Sequence, residues 1–174
     1  MLKFARQGYD AVSLNPSTIY GPRDMLKGSR KFQLSMAQGK LSVCSEGGVS
    51  VVHVLDVCDA LLKATFMGKS GERYILAGDN ITIKELLDEI AAWSNVKKVK
   101  WVLPTALIIF VGYFVEFLKK AGFSINLSLE NLRVATMYHW FKSDKAEREL
   151  DFNPRSYKES LKDSLDWAKK KGLI

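Results

Sequence analysis

Cysteine, histidine and signal-like segments are scarce or missing in this sequence of 174 residues. It contains two cysteines and two histidines, namely Cys44, Cys58, His53 and His139. They form no CxxC pair and show no metal-ligand spacing, so neither a structural disulfide nor a metal site is expected. The first residues do not read as a charged and then apolar signal segment. Together these features favour a reduced intracellular setting, and we expect a cytoplasmic location.

Low-complexity stretches, internal repeats and Gly/Ser-rich linkers are missing as well. With 47% hydrophobic and 26% charged residues, the composition is that of a globular protein. We therefore draw no domain boundary inside residues 1–174, and we expect one folded unit or one piece of a larger unit.

Positive charge exceeds negative charge. The formal net charge is +7, and the basic residues form short clusters at 27–31, 97–100, 119–120 and 169–171. An anionic partner therefore has to be considered. No aromatic residues interleaved in a basic groove, zinc spacing or helix-turn-helix pattern accompanies these clusters, so we expect no nucleic-acid partner and interpret most of these side chains as solvated.

Short apolar runs alternate with helical patterns along much of the chain. Strands are predicted at 11–14, 51–54 and 73–77. Thr82 and Glu85 form a capping box that begins a helix, and Asp56 is predicted to cap the helix that follows the second strand. Gly47 and Gly48 are predicted to form a hairpin turn. The order of elements indicates an α/β layer, with helices dominating the last part of the chain.

An uncharged segment at 101–115 is flanked by lysines on both sides. A helix is predicted to begin at Pro104, where a missing N–H costs nothing, and to end near Gly122. Pro104, Gly112 and Glu116 interrupt a run shorter than the ~20 residues that a membrane span needs. The segment fits a helix that lies on an anionic membrane surface, or one that lines a lipophilic pocket. Peripheral membrane contact is therefore kept as a hypothesis.

Four ordered segments carry a resemblance. The first, NPSTIYGPRD at 15–24, is by itself explained as a tight loop that leaves a strand. The others are VHVLDVCDA at 52–60, ERYILAG at 72–78, and DKA at 144–146 with ELDFNP at 149–154. Together they resemble the extended short-chain dehydrogenase/reductase superfamily, whose loop reads P-[ST]-x-x-Y-G-P. The superfamily includes nucleotide-sugar epimerases, dihydroflavonol reductases and 3β-hydroxysteroid dehydrogenases. The DKA element and the apolar helix favour the dihydroflavonol-4-reductase-like branch.

The resemblance covers essentially the whole chain and implies the C-terminal part of a Rossmann-type α/β fold, with a few parallel strands plus a helical substrate-binding subdomain. It implies NAD or NADP as cofactor. It also implies a reaction at a hydroxyl or carbonyl of a small-molecule substrate, such as a dihydroflavonol, a steroid-like compound or a nucleotide sugar.

Two features of the family are not found in the sequence. No glycine-rich dinucleotide turn is present, and the family's Tyr-x-x-x-Lys pair would fall before Met1, on the helix whose tail we interpret in residues 1–7. We therefore interpret the chain as lacking the dinucleotide-binding half, and we expect it to be inactive alone and to bind nucleotide weakly. Tyr138 and Lys142 mimic the catalytic spacing, but we interpret them as a pair on an amphipathic helix, and no catalytic residue is assigned.

The resemblance assigns the nicotinamide edge to Pro16, Ser17, Thr18 and Ile19, partly through their backbone groups. It assigns a substrate contact to Arg23, although an exposed loop arginine is as readily structural or solvated. His53 and Asp56 are interpreted as a strand end and a helix cap rather than as catalysts.

The alternative function is a non-catalytic interaction or membrane-surface module derived from such an enzyme. An uncovered edge of a parallel sheet would also favour self-association.

Overall fold

The computed structural model describes residue 4 and residues 6–23, 29–125 and 127–174. Within these ranges the strands are β1 (Ser13–Pro16), β2 (Thr18–Tyr20), β3 (Val43–Ser45), β4 (Gly48–His53), β5 (Arg73–Leu76), β6 (Asp79–Thr82), β7 (Trp101–Leu103) and β8 (Tyr138–His139). The helices are α1 (Ser29–Ala37), α2 (Val54–Met67), α3 (Ile83–Ser94), α4 (Thr105–Lys120), α5 (Leu129–Ala135), α6 (Asp144–Leu150) and α7 (Tyr157–Lys170).

Two compact units divide the chain. The first comprises Met1–Phe32, Ser50–Asn80 and Trp140–Ile174, and the second comprises Gln33–Val49 and Ile81–His139. The chain crosses between them within α1, β4 and β6 and directly after β8. Because these crossings fall in or beside regular elements and not in linkers, composition gives no sign of a boundary, and none was predicted.

Two parallel strand pairs lie in the first unit, and they belong to separate sheets. β1 pairs with β5, from Ser13↔Arg73 to Pro16↔Leu76, and β2 pairs with β4, from Thr18↔Val51 to Tyr20↔His53. The chain changes partner at Ser17, whose N–H donates to the carbonyl of Leu76 at 3.0 Å. The expected irregular loop is therefore wrong for residues 15–20, which form two short strands that meet at one residue.

Pro16 is tolerated in β1 because of the direction of its nitrogen. The N–H groups of Ser13 and Ser17 both donate toward β5, to the carbonyls of Glu72, directly before this strand, and of Leu76, its last residue. Backbone groups point alternately to the two sides of a strand, so the nitrogen of residue 16 faces away from β5. Its missing N–H therefore costs no bond in this ladder.

The core of the first unit lies between these strands and helices α2 and α6. It contains Val52, Val57, Ala60, Ala64, Tyr74, Leu76, Ala146, Leu150 and Phe152. The ring of Tyr74 is fully buried, but its hydroxyl is satisfied, since it donates to Glu149 Oε2 at 3.0 Å. Helix α7 packs against the rest of the protein by one face, on which Leu161, Leu165 and Ala168 are buried.

The second unit holds another parallel pair, β3 with β7, and β8 pairs with the first two residues of β4. The capping box is confirmed, since Glu85 N–H donates to Thr82 Oγ1 at 3.1 Å and Thr82 N–H donates to Glu85 Oε2 at 2.8 Å. The hairpin predicted at Gly47 and Gly48 is wrong, because β3 and β4 belong to different pairings. Gly47 has φ +126°, and an added Cβ would lie 2.9 Å from the carbonyl oxygen of Met137. A close backbone approach, and not a hairpin, requires this glycine.

The predicted helix after Pro104 is confirmed as α4, and Gly122 beyond its end has φ +98°. Among the helices of the described ranges, none is long and apolar enough to cross a membrane. The tail of a helix predicted in residues 1–7 falls largely outside the described residues; of the described ones, Gly8 has the positive φ of +87° expected of a helix cap.

Candidate functional site

A cavity of about 970 Å³ lies where β2 and β4 end, within the first unit. Its walls are Ser17, Thr18, Ile19, Tyr20, Gly21, Pro22, Arg23, Val54, Leu55 and Cys58. β2 and β4 are parallel, so the segments that follow Tyr20 and His53 leave the sheet at the same edge. Open α/β sheets bind ligands outside the carboxyl ends of their strands, so this cavity is where the fold favours a ligand.

Four of the five residues assigned from the sequence line this cavity. They are Ser17, Thr18, Ile19 and Arg23. Pro16 does not; it lines a smaller cavity of about 280 Å³ together with Asn15, Arg73 and Phe141, and Ser17 borders both cavities. The predicted roles of these residues in cofactor and substrate binding stay predictions. The structure does bring four of the five residues together at one edge of the sheet.

Ser17 has an unusual position among the residues that line the cavity. Its backbone N–H donates to the carbonyl of Leu76, while its Oγ is buried and has no hydrogen-bond partner. A buried hydroxyl left without a partner costs about 1–3 kcal/mol, so such a group is favoured where a ligand completes the bond. Ser17 therefore offers a hydrogen-bonding group that the fold itself leaves unused.

The turn after β2 is held close to the start of α2. Gly21 has φ +145°, and an added Cβ would lie 2.5 Å from Val54 Cγ1. Arg23 also has a positive φ, at +70°, which is uncommon for a residue with a side chain. Glycine at position 21 thus allows the turn to pass against α2, and the chain then places the exposed Arg23 at the mouth of the cavity.

His53 and Asp56 have structural roles. His53 ends β4 and caps α2, since the N–H of Leu55 donates to its Nδ1 at 3.1 Å, which confirms its interpretation as a strand end. The prediction that Asp56 caps α2 is wrong, because the helix begins at Val54 and Asp56 lies in its first turn. Asp56 is buried and pairs with Arg155, whose Nη1 lies 2.8 Å from Oδ1 and whose N–H donates to Oδ2 at 2.7 Å.

Val54, Leu55 and Cys58 form a second wall of the cavity that was not assigned from the sequence. These residues belong to the VHVLDVCDA segment, so the motif itself was the available signal. What the segment could not reveal is that the end of β4 lies beside the end of β2.

Other candidate chemistry is not supported. Tyr138 lies in β8, and residues 140–143 are not helical, so the spacing to Lys142 does not place both side chains on one helix face and the predicted helical pair is wrong. Burial raises the pKa of the Cys44 thiol, which keeps it protonated and a poor nucleophile. In the described ranges, no group of three His, Cys, Asp or Glu side chains could hold a metal ion.

Comparisons with known proteins agree with this fold. No family model matches the chain. It is 26% identical over 179 aligned positions to a putative dihydroflavonol 4-reductase of Synechocystis sp., covering 99% of this chain and 52% of that protein. It is 25% identical to the sterol demethylase protein B of Methylococcus capsulatus, covering 98% of this chain and 53% of that protein. The chain thus spans about half the length of these relatives.

Solved structures extend the comparison. The protein in the crystal structure of gox2253 has 31% sequence identity to this chain. The two superpose with a TM-score of 0.87, over 99% of this chain and 53% of that one. A nucleoside-diphosphate-sugar epimerase from Pseudomonas aeruginosa is 22% identical, with a TM-score of 0.79 over 99% of this chain and 52% of that one. More distant neighbours were solved with NAD, as for a dTDP-glucose 4,6-dehydratase of Bacillus anthracis at 17% identity, or with NADPH, as for RMD of P. aeruginosa at 16%. This chain is therefore similar, over nearly its whole length, to the C-terminal half of enzymes of the extended short-chain dehydrogenase/reductase (NAD-dependent epimerase/dehydratase) superfamily, and it has their Rossmann-type α/β fold.

Proposed function

We propose that this chain forms the nicotinamide edge and part of the substrate pocket of an NAD(P)-dependent oxidoreductase or epimerase. The substrate is a small molecule that carries a hydroxyl or carbonyl group, of the dihydroflavonol, steroid-like or nucleotide-sugar type. On this proposal the chain turns over only together with a dinucleotide-binding half, because its own sequence has neither a glycine-rich nucleotide turn nor a Tyr-x-x-x-Lys pair on a helix.

The observation that carries the proposal is the buried, unpartnered Oγ of Ser17, a residue that lines the cavity. A nicotinamide carboxamide has both a donor and an acceptor, so it can satisfy a buried hydroxyl in either sense. When bound, the nicotinamide supplies the hydride chemistry, and the protein's part is to bind and orient it. Ser17 fits the orienting contact, and Thr18 and Ile19 extend the same wall.

The remaining walls suit a substrate that is partly apolar. Val54 and Leu55 supply aliphatic surface, which excludes water from the reacting groups. Arg23 at the mouth offers a charged donor to an acceptor group on the substrate. The two curated relatives are named for a dihydroflavonol and a sterol reaction, which supports a substrate built on an apolar ring system.

A chimera tests the proposal. The chain is joined to the half of the Synechocystis relative that it does not cover, and NAD(P)H oxidation is followed with a panel of ketones. We expect turnover from the chimera and none from the chain alone. Ser17→Ala should raise the KM for NAD(P)H about three- to tenfold, the effect of one lost hydrogen bond, with a smaller change in kcat.

Ser13→Ala is the matched control, since the Ser13 hydroxyl bonds Asn15 outside the cavity. Equal effects of the two substitutions, or turnover by the chain alone that Tyr138→Phe abolishes, would contradict the proposal. Binding of nicotinamide mononucleotide to the chain alone, followed by NMR shifts of the amides at 17–19, gives a readout that does not depend on the folding of the chimera.

The alternative function, a non-catalytic interaction or membrane-surface module, is favoured by one observation. Helix α4 exposes a broad apolar face in the second unit.

A further inference from the structure

Helix α4 has two apolar faces, and only one of them is used by the fold. Ile108, Gly112 and Val115 are buried, and an added Cβ on Gly112 would lie 2.6 Å from Leu129 Cδ1, so this face packs closely against α5. The other face is solvent-exposed and consists of Leu107, Phe110, Val111, Tyr113, Phe114 and Phe117, each at least 43% exposed. We call these six residues the aromatic face.

The aromatic face is continuous. At 3.6 residues per turn its members fall within a sector of about 160°, opposite the buried face. Residues 106–115 carry no charge. Single exposed apolar side chains are ordinary, but a contiguous row on one helix marks an interaction surface. Four of the six are Phe or Tyr, the residue types that enter the boundary between lipid headgroups and acyl chains.

Positive charge lies at the carboxyl end of this face. Lys120, the last residue of α4, is exposed and lies about 20° beyond Tyr113 at the border of the face, whereas Lys119 falls on the side of the buried face and is paired with Glu116 at 3.1 Å. Arg133 of α5 lies over the ring of Tyr113, 5.8 Å from its centroid, and donates to the Tyr113 hydroxyl. An apolar helix face bordered by cations is the pattern of a helix that lies flat on an anionic membrane.

The length of α4 excludes a spanning arrangement. Its 16 residues extend about 24 Å, short of the ~30 Å hydrocarbon core. We propose that the aromatic face of α4 binds the surface of an anionic lipid bilayer, with Phe110, Phe114 and Phe117 inserted among the headgroups and Lys120 contacting lipid phosphates. The proposal does not depend on the cofactor site, which lies in the other unit.

Vesicle co-sedimentation tests the proposal with the purified chain. Vesicles of phosphatidylcholine alone are compared with an equimolar mixture of phosphatidylcholine and phosphatidylserine, at low and high salt. We expect the chain to sediment with the mixed vesicles and to be released in part by salt. The triple substitution of Phe110, Phe114 and Phe117 to Gln should reduce the partition coefficient at least about tenfold.

Two matched controls distinguish binding through the aromatic face from nonspecific binding through other exposed apolar or basic side chains. The triple substitution of Leu62, Phe66 and Met67 to Gln removes as many exposed apolar side chains from α2 and should leave vesicle binding unchanged. Lys120→Gln should weaken binding to the mixed vesicles, while Lys170→Gln, at the matching last position of α7, should weaken it less.

Fluorescence gives a readout from a conservative variant. Phe114→Trp should add emission that brominated lipids quench, and Phe66→Trp should not. Absence of sedimentation, equal loss in the α2 and α4 triple variants, or a wild-type dimer that the α4 substitutions dissociate without any vesicle binding would overturn the proposal. The last outcome would identify the aromatic face as a self-association surface instead.

Discussion

At the residue scale, the Asp56–Arg155 pair joins the first turn of α2 to the segment that precedes α7. Asp56 is 5% exposed; its Oδ1 is paired with the Arg155 guanidinium, which Arg155→Met removes, and its Oδ2 accepts from the Arg155 backbone N–H, which the substitution keeps. Breaking a buried pair from one side leaves an uncompensated charge, so Arg155→Met should lower the free energy of unfolding by about 3 kcal/mol. Lys63→Met is the control, since Lys63 pairs with an exposed Asp151 and should cost under about 1 kcal/mol.

Chemical denaturation of the two variants measures this difference. Equal stabilities would show that the Asp56 carboxylate is solvated in solution or is held by another group. The sequence could not predict the pair, because its partners are 99 residues apart, and Asp56 alone has the position expected of a helix cap. Gly47 was misread for the same reason: the backbone that requires it, at 135–137, is distant in sequence.

At the element scale, sequence patterns predicted correctly those structures that form through contacts between residues close together in the sequence. Thr82 and Glu85 are three residues apart and bond each other, so their pattern was sufficient. Residues 15–20 were misread because prolines usually end a strand, whereas Pro16 has its nitrogen on the side away from β5, which depends on pairing between distant segments. The cavity residues were found through a motif, while the wall at Val54, Leu55 and Cys58 required the parallel pairing of β2 with β4.

The start of α4 depends on a carboxylate from outside the helix. Pro104, at its N-cap position, gives no side-chain cap, and Glu46 Oε2 instead accepts from the Thr105 N–H at 2.9 Å and from its hydroxyl at 2.8 Å. The bond from the Thr105 backbone, followed by that from its hydroxyl, lowers the pKa of Glu46. A lowered folded-state pKa gives a stabilisation that is present at neutral pH and is lost as the pH falls through that pKa.

Glu46→Gln should therefore lower the Tm at pH 7, and the difference from the wild type should shrink as the pH falls through the lowered pKa of Glu46. Thermal melts across the acid range measure this dependence. The exposed Glu130, which lies in the first turn of α5, gives the control Glu130→Gln. A pH-independent difference at position 46 would mean that packing, and not the charge of the carboxylate, sets the start of α4.

At the scale of the whole molecule, the first unit leaves apolar surface and a strand edge uncovered. Within the described residues β1 has one neighbour, β5, so the side toward which the nitrogens of Leu14 and Pro16 point has no paired strand. Beside it, Val12, Leu14 and Leu61 line a groove of about 540 Å³. On α2, Leu61, Leu62 and Phe66 are 51%, 65% and 89% exposed. A parallel sheet is normally covered on both faces and paired at such an edge, so this surface suits a further part of a Rossmann-type sheet.

We predict that the isolated chain self-associates through this surface and that a companion half suppresses the association. Light scattering with size exclusion should show a mass that rises with concentration. The Leu62, Phe66 and Met67 triple substitution should reduce that association because it removes apolar area from α2, while the α4 triple substitution should leave it intact. For vesicle binding we expect the reverse: the α4 triple substitution should reduce it and the α2 triple substitution should leave it intact, since the two surfaces belong to different units of the chain.

A clean monomer at high concentration, with no binding of a hydrophobic dye, would contradict the prediction. A loss of both properties in one variant would show instead that a single surface serves association and lipid binding.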